Sequence, residues 1–262
     1  MSITIFNYSF YLISMCWCIN IIINILRIKN KNIILAREVA AYTGIAILVI
    51  YITYLWITLG RAPLLTLGET RLWYSVFLSI CGLLICKLNK NYTFILPVCL
   101  ALALIFLSID FLNPAKFDKT SMPAIQSFWF IPHVASFILS YSILGIATIL
   151  SIVLIIKKKG SESLIKVNDI LNMGVFFLTM GLILGFLWAK TAWGHYWSWD
   201  PKETWALLTW AIYLFYIHIN IKHQNLLLSS TMLIIAFIVL LITWFGVNYL
   251  DVAKASMHTY GN

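Results

Sequence analysis

The chain has 262 residues, of which 62% are hydrophobic and 10% are charged, and its mean hydropathy is +0.93. Soluble domains of this length do not have such a composition, which is typical of a multi-pass membrane protein. The formal charge of +9 would suit a nucleic-acid-binding protein. In a membrane protein, however, excess Lys and Arg usually marks loops on the cytoplasmic side. We therefore predict no nucleic-acid partner.

Apolar segments of about twenty residues, each long enough to cross a hydrocarbon core of ~30 Å as a helix, recur along the chain. The first has no basic segment before it and no clear cleavage site, which indicates a retained helix rather than a signal peptide. The predicted spans are 8–26, 39–59, 71–88, 93–112, 129–156, 170–189, 204–221 and 226–247. Asp200 is the expected N-cap of the seventh, and Pro201 suits its first turn. We predict an all-α fold, a polytopic membrane bundle of about eight helices forming a single integral-membrane domain over residues 1–262.

The basic residues predict the orientation of the bundle. If both termini lie outside, eleven of the eighteen Lys and Arg residues fall in inner loops, in agreement with the positive-inside rule. Three acidic residues then lie inside and six outside, although acids contribute little to topology. The loop between the sixth and seventh helices is therefore expected to face outward.

That outward loop is rich in tryptophan. The segment WGHYWSWDPKETWALLTW, residues 193–210, holds five tryptophans broken by Gly, Pro and the charged residues Asp200, Lys202 and Glu203. Single Trp and Tyr residues commonly anchor helices at the membrane interface. Here the rings gather in one loop instead, which favours an aromatic platform with half-buried rings whose N–H groups still find partners.

The five histidines divide by their predicted depth. His133, His195 and His258 lie on the outer side, whereas His218 lies near the inner end of the seventh helix and His223 in the turn beyond it. Neutral imidazole is a good axial ligand for iron, and flat indoles can stack on a macrocycle. Basic groups could pair with the carboxylates of a haem; the candidates are Arg61, Arg71, Lys190 and Lys202. From the residues alone, each outer histidine could instead be an ordinary polar residue at a helix end or in a loop, with no role in iron binding.

The five cysteines form neither CxxC nor CxxCH. The chain is therefore expected to be neither a thioredoxin-like redox protein nor a c-type cytochrome, and its cysteines to be small core residues.

The segment from Trp193 to Trp205 closely resembles the tryptophan-rich WWD signature of haem-handling proteins in cytochrome c maturation. Its form, WGxYWSWDPKETWAL, is that of the CcsA (ResC) family of the system II pathway. The resemblance also covers RAP at 61–63, GETR at 68–71, His133, IYLFYIH at 212–218, GVN at 246–248 and HTYG at 258–261. It implies haem handling by the segment 188–210. His195 stands at a variable position of the signature, so no ligand role is transferred to it.

The resemblance implies roles for individual residues. His133 and His258 would be axial ligands of haem iron at the outer face, and His218 would belong to an inner haem site. The haem surface would comprise Trp193, Gly194, Tyr196, Trp197, Trp199, Asp200, Pro201, Glu203 and Trp205. The cofactor, which is also the cargo, would be haem b. A CcsB (ResB) membrane protein would be the partner, and an apocytochrome CxxCH motif would be the acceptor.

The implied activity is haem delivery and attachment, as a subunit of the system II holocytochrome c synthase (haem lyase) complex. The substrate cysteines would supply the nucleophiles, so no catalytic residue is assigned to this chain. The implied location is the bacterial inner membrane, with the WWD loop and both termini on the periplasmic side. The alternative is a haem transporter without ligation activity. A quinol oxidoreductase would need histidine pairs within the bilayer, and an intramembrane protease would need a Ser/His or paired-Asp site; Asp110 is the only acid predicted within a span.

Overall fold

The computed structural model describes residues 2–28, 30–114, 126–159, 163–222 and 225–250. Within these ranges the protein is helical and has no strand. Its long helices are α1 Ser2–Ile25, α2 Lys31–Leu59, α3 Leu67–Leu88, α4 Ile95–Leu112, α5 Phe130–Ile156, α6 Leu164–Trp193, α7 Pro201–Lys222 and α8 Leu226–Trp244. All eight are long and apolar enough to cross a membrane. The predicted all-α, polytopic fold class is therefore confirmed.

Several helices extend beyond the apolar segments that predicted them. Helix α2 begins at Lys31 rather than Val39, and α6 runs from Leu164 to Trp193 rather than from Ile170 to Ala189. Hydropathy marks the part of a helix that fits the hydrocarbon core, whereas the helix itself ends where its backbone is capped. Helix α3 is an example, because Thr66 and Glu69 form a capping box that starts the helix before Arg71.

The helices group into two compact units, α1–α4 and α5–α8. The prediction of a single domain over the whole chain stays a prediction. In the first unit α1 packs on α2 and α4, and α3 packs on α4. Helices α1 and α2 approach closely at Gly44, where an added Cβ would clash with the indole nitrogen of the buried Trp17.

Two arginines of the first unit are paired with fully buried acids. The guanidinium of Arg61 donates to both carboxylate oxygens of Glu69, at 2.9 Å each. Arg71 donates from Nε to Oδ1 of Asp110 at 2.7 Å, which joins α3 to α4. Both arginines are candidates for pairing with haem carboxylates by sequence; in the structure each already has a carboxylate partner within its own unit.

In the second unit α5 is the central and most buried helix, and it packs against α6 and α8. Small side chains allow the close approach of α5 and α6. The hydroxyl of Ser140 donates to the backbone carbonyl of Gly174 at 2.8 Å. Such small-residue contacts with polar links between helices are common in membrane bundles. This packing fixes the position of the first turn of α5, which carries His133.

Candidate functional site

His133 is held by a hydrogen bond between two helices. It lies in the first turn of α5, and its Nδ1 is 2.9 Å from the backbone carbonyl oxygen of Gly181 in α6. A carbonyl oxygen only accepts, so Nδ1 donates and the lone pair of the neutral ring is on Nε2. Backbone carbonyls orient metal-binding histidines in this way, which leaves the opposite nitrogen as the ligand atom.

Two aromatic side chains border the ring of His133. Trp188 is stacked on it, with ring centroids 5.2 Å apart and planes 25° apart, and Phe137 meets it edge-on at 5.0 Å. Trp188 is 2% exposed and also contacts Trp193, at 4.7 Å between centroids. A buried indole therefore connects the candidate ligand His133 to the first ring of the tryptophan-rich segment.

Gly194 ends α6 and begins the loop. Its φ of 86° lies in the left-handed region, and its N–H donates to the carbonyl of Lys190 at 3.1 Å. The ammonium of Lys190 donates to the Gly194 carbonyl at 2.8 Å and lies 5.3 Å from the ring of Tyr196. Only glycine adopts this backbone conformation without a steric cost, which explains a glycine directly after Trp193.

The loop leaves two of its large rings exposed. Tyr196 is 55% exposed and Trp199 is 68% exposed. Trp197, between them, packs edge-on against Phe186 of α6 at 5.5 Å and against Trp199 at 5.7 Å. The loop is thus anchored to α6 through one ring, and a planar macrocycle could stack on its two exposed rings.

The two carboxylates of the segment are used to shape the loop. Asp200 accepts from the N–H of Lys202 at 2.9 Å, so its predicted role as the N-cap of α7 is confirmed. Glu203 Oε2 accepts from the N–H of Ser198 at 2.8 Å, the Ser198 hydroxyl at 3.2 Å and the N–H of Asp200 at 3.2 Å. Both acids are nearly buried, at 6% and 8% exposure.

Those bonds enclose a strained residue. Trp199 has a φ of 59°. The residues before and after it, Ser198 and Asp200, both donate their N–H groups to Glu203. A left-handed conformation costs a non-glycine residue roughly 1–2 kcal/mol. The loop adopts it because one buried carboxylate binds the N–H of Ser198 and the N–H of Asp200 together, and this holds the Trp199 ring in its exposed position.

Helix α7 is tied to its neighbours below the loop. The indole N–H of Trp210 donates to the hydroxyl of Thr179 in α6 at 2.9 Å. Thr209 and Thr243 of α8 share a hydrogen bond of 2.8 Å, and Thr243 also donates to the carbonyl of Trp205 at 3.1 Å. The ring of Trp205 is half-buried. These contacts give the loop a fixed base on α6, α7 and α8.

The remaining histidines are dispersed. His218 is exposed on α7, and its Nδ1 lies 2.8 Å from the carbonyl oxygen of Leu214. His195 is exposed in the loop. His223 and His258 lie outside the described residues, so the structure does not place His258 relative to His133.

A cavity lies near the C-terminal end of α7, lined by Asn168 and Asn172 of α6 and by Tyr216 and Asn220 of α7. It has a volume of about 240 Å³ between α6 and α7. Asn168 accepts from the Tyr216 hydroxyl at 2.7 Å and from the Asn220 amide at 2.9 Å, and Ser229 of α8 donates to Asn220 at 2.8 Å. These bonds give Asn168, Tyr216 and Asn220 hydrogen-bond partners within the second unit.

Three residues of the site are not predicted from the sequence: Trp188 as an individual contact, Gly181, and Gly185, which lies against the ring of His133. The spacing of two glycines four residues apart in an apolar helix is a signal of close helix packing. That spacing indicates the part of α6 on which another helix packs closely, but it does not identify His133 as the residue in contact there.

Comparison with known proteins gives one family. Residues 64–253 match the sequence model of the family described as "Cytochrome C assembly protein". The "Cytochrome c biogenesis protein CcsA" of Chlamydomonas reinhardtii is 30% identical over 251 residues, which cover 89% of this chain and 70% of that protein. The protein of the same name from Pelargonium hortorum is 31% identical and is covered to 80%, with 79% of this chain aligned.

The fold is similar to that of a solved haem lyase structure. The chain superposes on "Cytochrome c Heme Lyase CcmF" with a TM-score of 0.75 over 94% of its own length. The sequence identity is 13%, and the aligned part is 47% of the CcmF chain. At this identity the likeness concerns the fold alone.

Proposed function

The chain belongs to the cytochrome c assembly protein family, and we propose that it is the membrane subunit that brings haem to the outer face and presents it to the CxxCH motif of an apocytochrome. The observation that carries this proposal is the setting of His133. Its Nδ1 donates to the Gly181 carbonyl at 2.9 Å, and this supports a neutral tautomer whose Nε2 would bind iron. Trp188 stacks on that ring and contacts Trp193 of the WWD segment.

The residues described fit a flat, iron-centred cargo of the haem b type. His133 would take one axial position, and His258, outside the described residues, would take the other, as the family resemblance implies. The exposed rings of Tyr196 and Trp199 would contact the macrocycle face. Lys190, whose ammonium lies against Tyr196, would pair with a haem carboxylate at the same surface. His218 would belong to a separate inner site.

In the proposed reaction this chain would bind and orient the haem and would supply no nucleophile. Each cysteine thiol of the acceptor adds across one haem vinyl group, forming a C–S bond while the second vinyl carbon gains a proton. The acceptor supplies both nucleophiles. This chain would hold the macrocycle at a fixed edge, exclude water from its faces and keep the iron coordinated until the acceptor histidine replaces one axial ligand.

The proposal also assigns an orientation and a partner. With the WWD segment and both termini on the outer side of the membrane, as the distribution of Lys and Arg predicts, the loop would meet the acceptor after its export. A CcsB/ResB-like membrane protein would complete the synthase. In a bacterial cell this places the chain in the inner membrane with the loop in the periplasm.

The test is haem ligation followed by attachment. The full chain, co-expressed with a CcsB-like partner and purified in detergent, is compared with its His133→Ala and His218→Ala variants by absorbance spectroscopy, with and without imidazole. We expect His133→Ala to lose or shift the Soret band and imidazole to restore it. An unchanged spectrum in His133→Ala would refute the outer-site assignment.

Attachment separates the synthase from a transporter that only exports haem. The same preparation is given a CxxCH-containing apocytochrome under reducing conditions. Thioether formation is read from a haem signal that survives denaturing electrophoresis. We expect covalent product with the wild-type complex; haem bound without product would favour the transporter.

A further inference from the structure

Gly185 of α6 faces the ring of His133 at a distance that leaves no room for a side chain. A Cβ built on Gly185 would lie 2.8 Å from Cε1 and 2.9 Å from Nδ1 of His133, and 3.7 Å from Nε2. Ordinary carbon contacts are 3.4–4 Å. The Nδ1–Cε1 edge of the imidazole is therefore seated against the backbone of α6, and Nε2 is the nitrogen that lies farther from it.

Gly181, one helical turn earlier, completes this seat. Its carbonyl oxygen accepts the Nδ1 hydrogen bond of His133 at 2.9 Å. A Cβ on Gly181 would lie 3.1 Å from two ring atoms of Phe137, the side chain that meets His133 edge-on. One glycine thus admits the imidazole, and the other admits the ring that borders it.

We propose that Gly181 and Gly185 are positioning residues that set the orientation and the tautomer of His133 for iron ligation. This inference rests on the proposed function, because it assigns the geometry of the ligand that function requires. The glycines touch neither the iron nor the macrocycle, and they act through His133. Groups that orient a ligating histidine typically change metal affinity by about 10–100-fold when they are altered.

Gly185→Ala is the decisive variant. A methyl group at 2.8–2.9 Å must move the imidazole by several tenths of an ångström to reach ordinary contact distance. The ring is bordered by the buried Trp188 and by Phe137, so its displacement lengthens or breaks the Nδ1 bond. Alanine is itself the better helix former, so a loss of helix propensity is not expected.

The chain offers a matched control on the same helix. A Cβ on Gly174 would lie 2.7 Å from the side chain of Leu144, so Gly174→Ala also introduces a short contact between α6 and α5. It faces an apolar side chain instead of the ligand. A general disturbance of helix packing would affect both variants, whereas a positioning role affects Gly185→Ala alone.

The experiment titrates haemin into the purified full chain with its co-expressed partner. The four samples are wild type, Gly185→Ala, Gly174→Ala and His133→Ala. We expect Gly185→Ala to bind haemin at least about tenfold more weakly and to lose the low-spin signal of a histidine-ligated iron. Added imidazole restores that signal in Gly185→Ala and in His133→Ala, and Gly174→Ala keeps the wild-type spectrum.

The outcomes separate this inference from the function on which it rests. A change in His133→Ala together with a wild-type spectrum in Gly185→Ala overturns the positioning role and leaves the ligand assignment standing. Equal losses in Gly185→Ala and Gly174→Ala also overturn it. A wild-type spectrum in His133→Ala removes the proposed function itself.

A second variant tests the inference if Gly185→Ala does not fold. In His133→Gly/Gly185→Ala the imidazole is gone, so the added methyl group has space. We expect this double variant to be recovered and to bind haemin when imidazole is supplied. If it also fails to fold, Gly185 serves a contact other than His133 and the inference is wrong.

Discussion

Replacing Glu203 by Gln tests whether one carboxylate holds the tryptophan-rich loop. Oε2 of Glu203 accepts three hydrogen bonds from Ser198 and Asp200, at 2.8–3.2 Å. A bond to a charged acceptor contributes about 1.5–3 kcal/mol and a neutral one about 0.5–1.5 kcal/mol. Glutamine has about the size of glutamate but no charge. Each of the three bonds is then weaker by about 1 kcal/mol, so the closed conformation of the loop is destabilised by about 3 kcal/mol. Because 1.4 kcal/mol is a factor of ten, the open population of the loop should rise about 100-fold.

Amide hydrogen exchange of the purified protein measures this change. We expect the peptide containing Ser198 and Asp200 to exchange about 100-fold faster in Glu203→Gln, while peptides from α5 and α8 exchange as in the wild type. Glu38→Gln is the matched control, since Glu38 is 55% exposed and lies 3.7 Å from Arg37. If the loop exchanges equally in the two variants, the carboxylate does not hold the loop.

Three further tests concern contacts within each unit. Asp110→Ala leaves Arg71 buried without its carboxylate partner and should lower the free energy of unfolding by about 3–5 kcal/mol. The double variant Arg71→Met/Asp110→Leu should recover most of that loss. Both are measured by thermal unfolding monitored by circular dichroism. Gly44→Ala overpacks α1 against α2, because a Cβ would clash with the indole of Trp17, and it should lower the free energy of unfolding by about 1–3 kcal/mol in the same assay. Trp199→Ala should keep the wild-type melting temperature and weaken haemin binding, whereas Trp188→Ala should also lose about 3–5 kcal/mol of stability. Equal melting temperatures for the two tryptophan variants would contradict the burial difference.

The elements predicted well are those that depend on local chemistry. Eight apolar segments are visible without tertiary information, because a span needs only length and hydropathy. Asp200 and Pro201 mark the start of α7 because a helix N-cap is decided within a few residues. The ends of α2 and α6 are missed, since polar residues continue a helix outside the hydrocarbon and hydropathy cannot distinguish them from a loop.

The parts that escape prediction are contacts between distant residues. Arg71 and Asp110 are thirty-nine positions apart, and His133 and Gly181 are forty-eight apart. A single sequence carries no record of such pairs; it shows an acid and a base, or a histidine and a glycine, without their pairing. The tautomer of His133 belongs to this class, because it is set by a backbone carbonyl of another helix.

The geometry of the WWD segment explains why charged and aromatic residues alternate within it. An exposed ring on a short loop would ordinarily fold back onto the nearest apolar surface to bury its area. Trp199 is prevented from doing so, since Glu203 binds the N–H groups on both sides of it and holds its backbone at a φ of 59°. The cost of that conformation, roughly 1–2 kcal/mol, is smaller than the contribution of the three bonds to the carboxylate. The acid and the cap Asp200 therefore serve the loop backbone, and the exposed indole and phenol rings are the part of the segment left to contact a ligand.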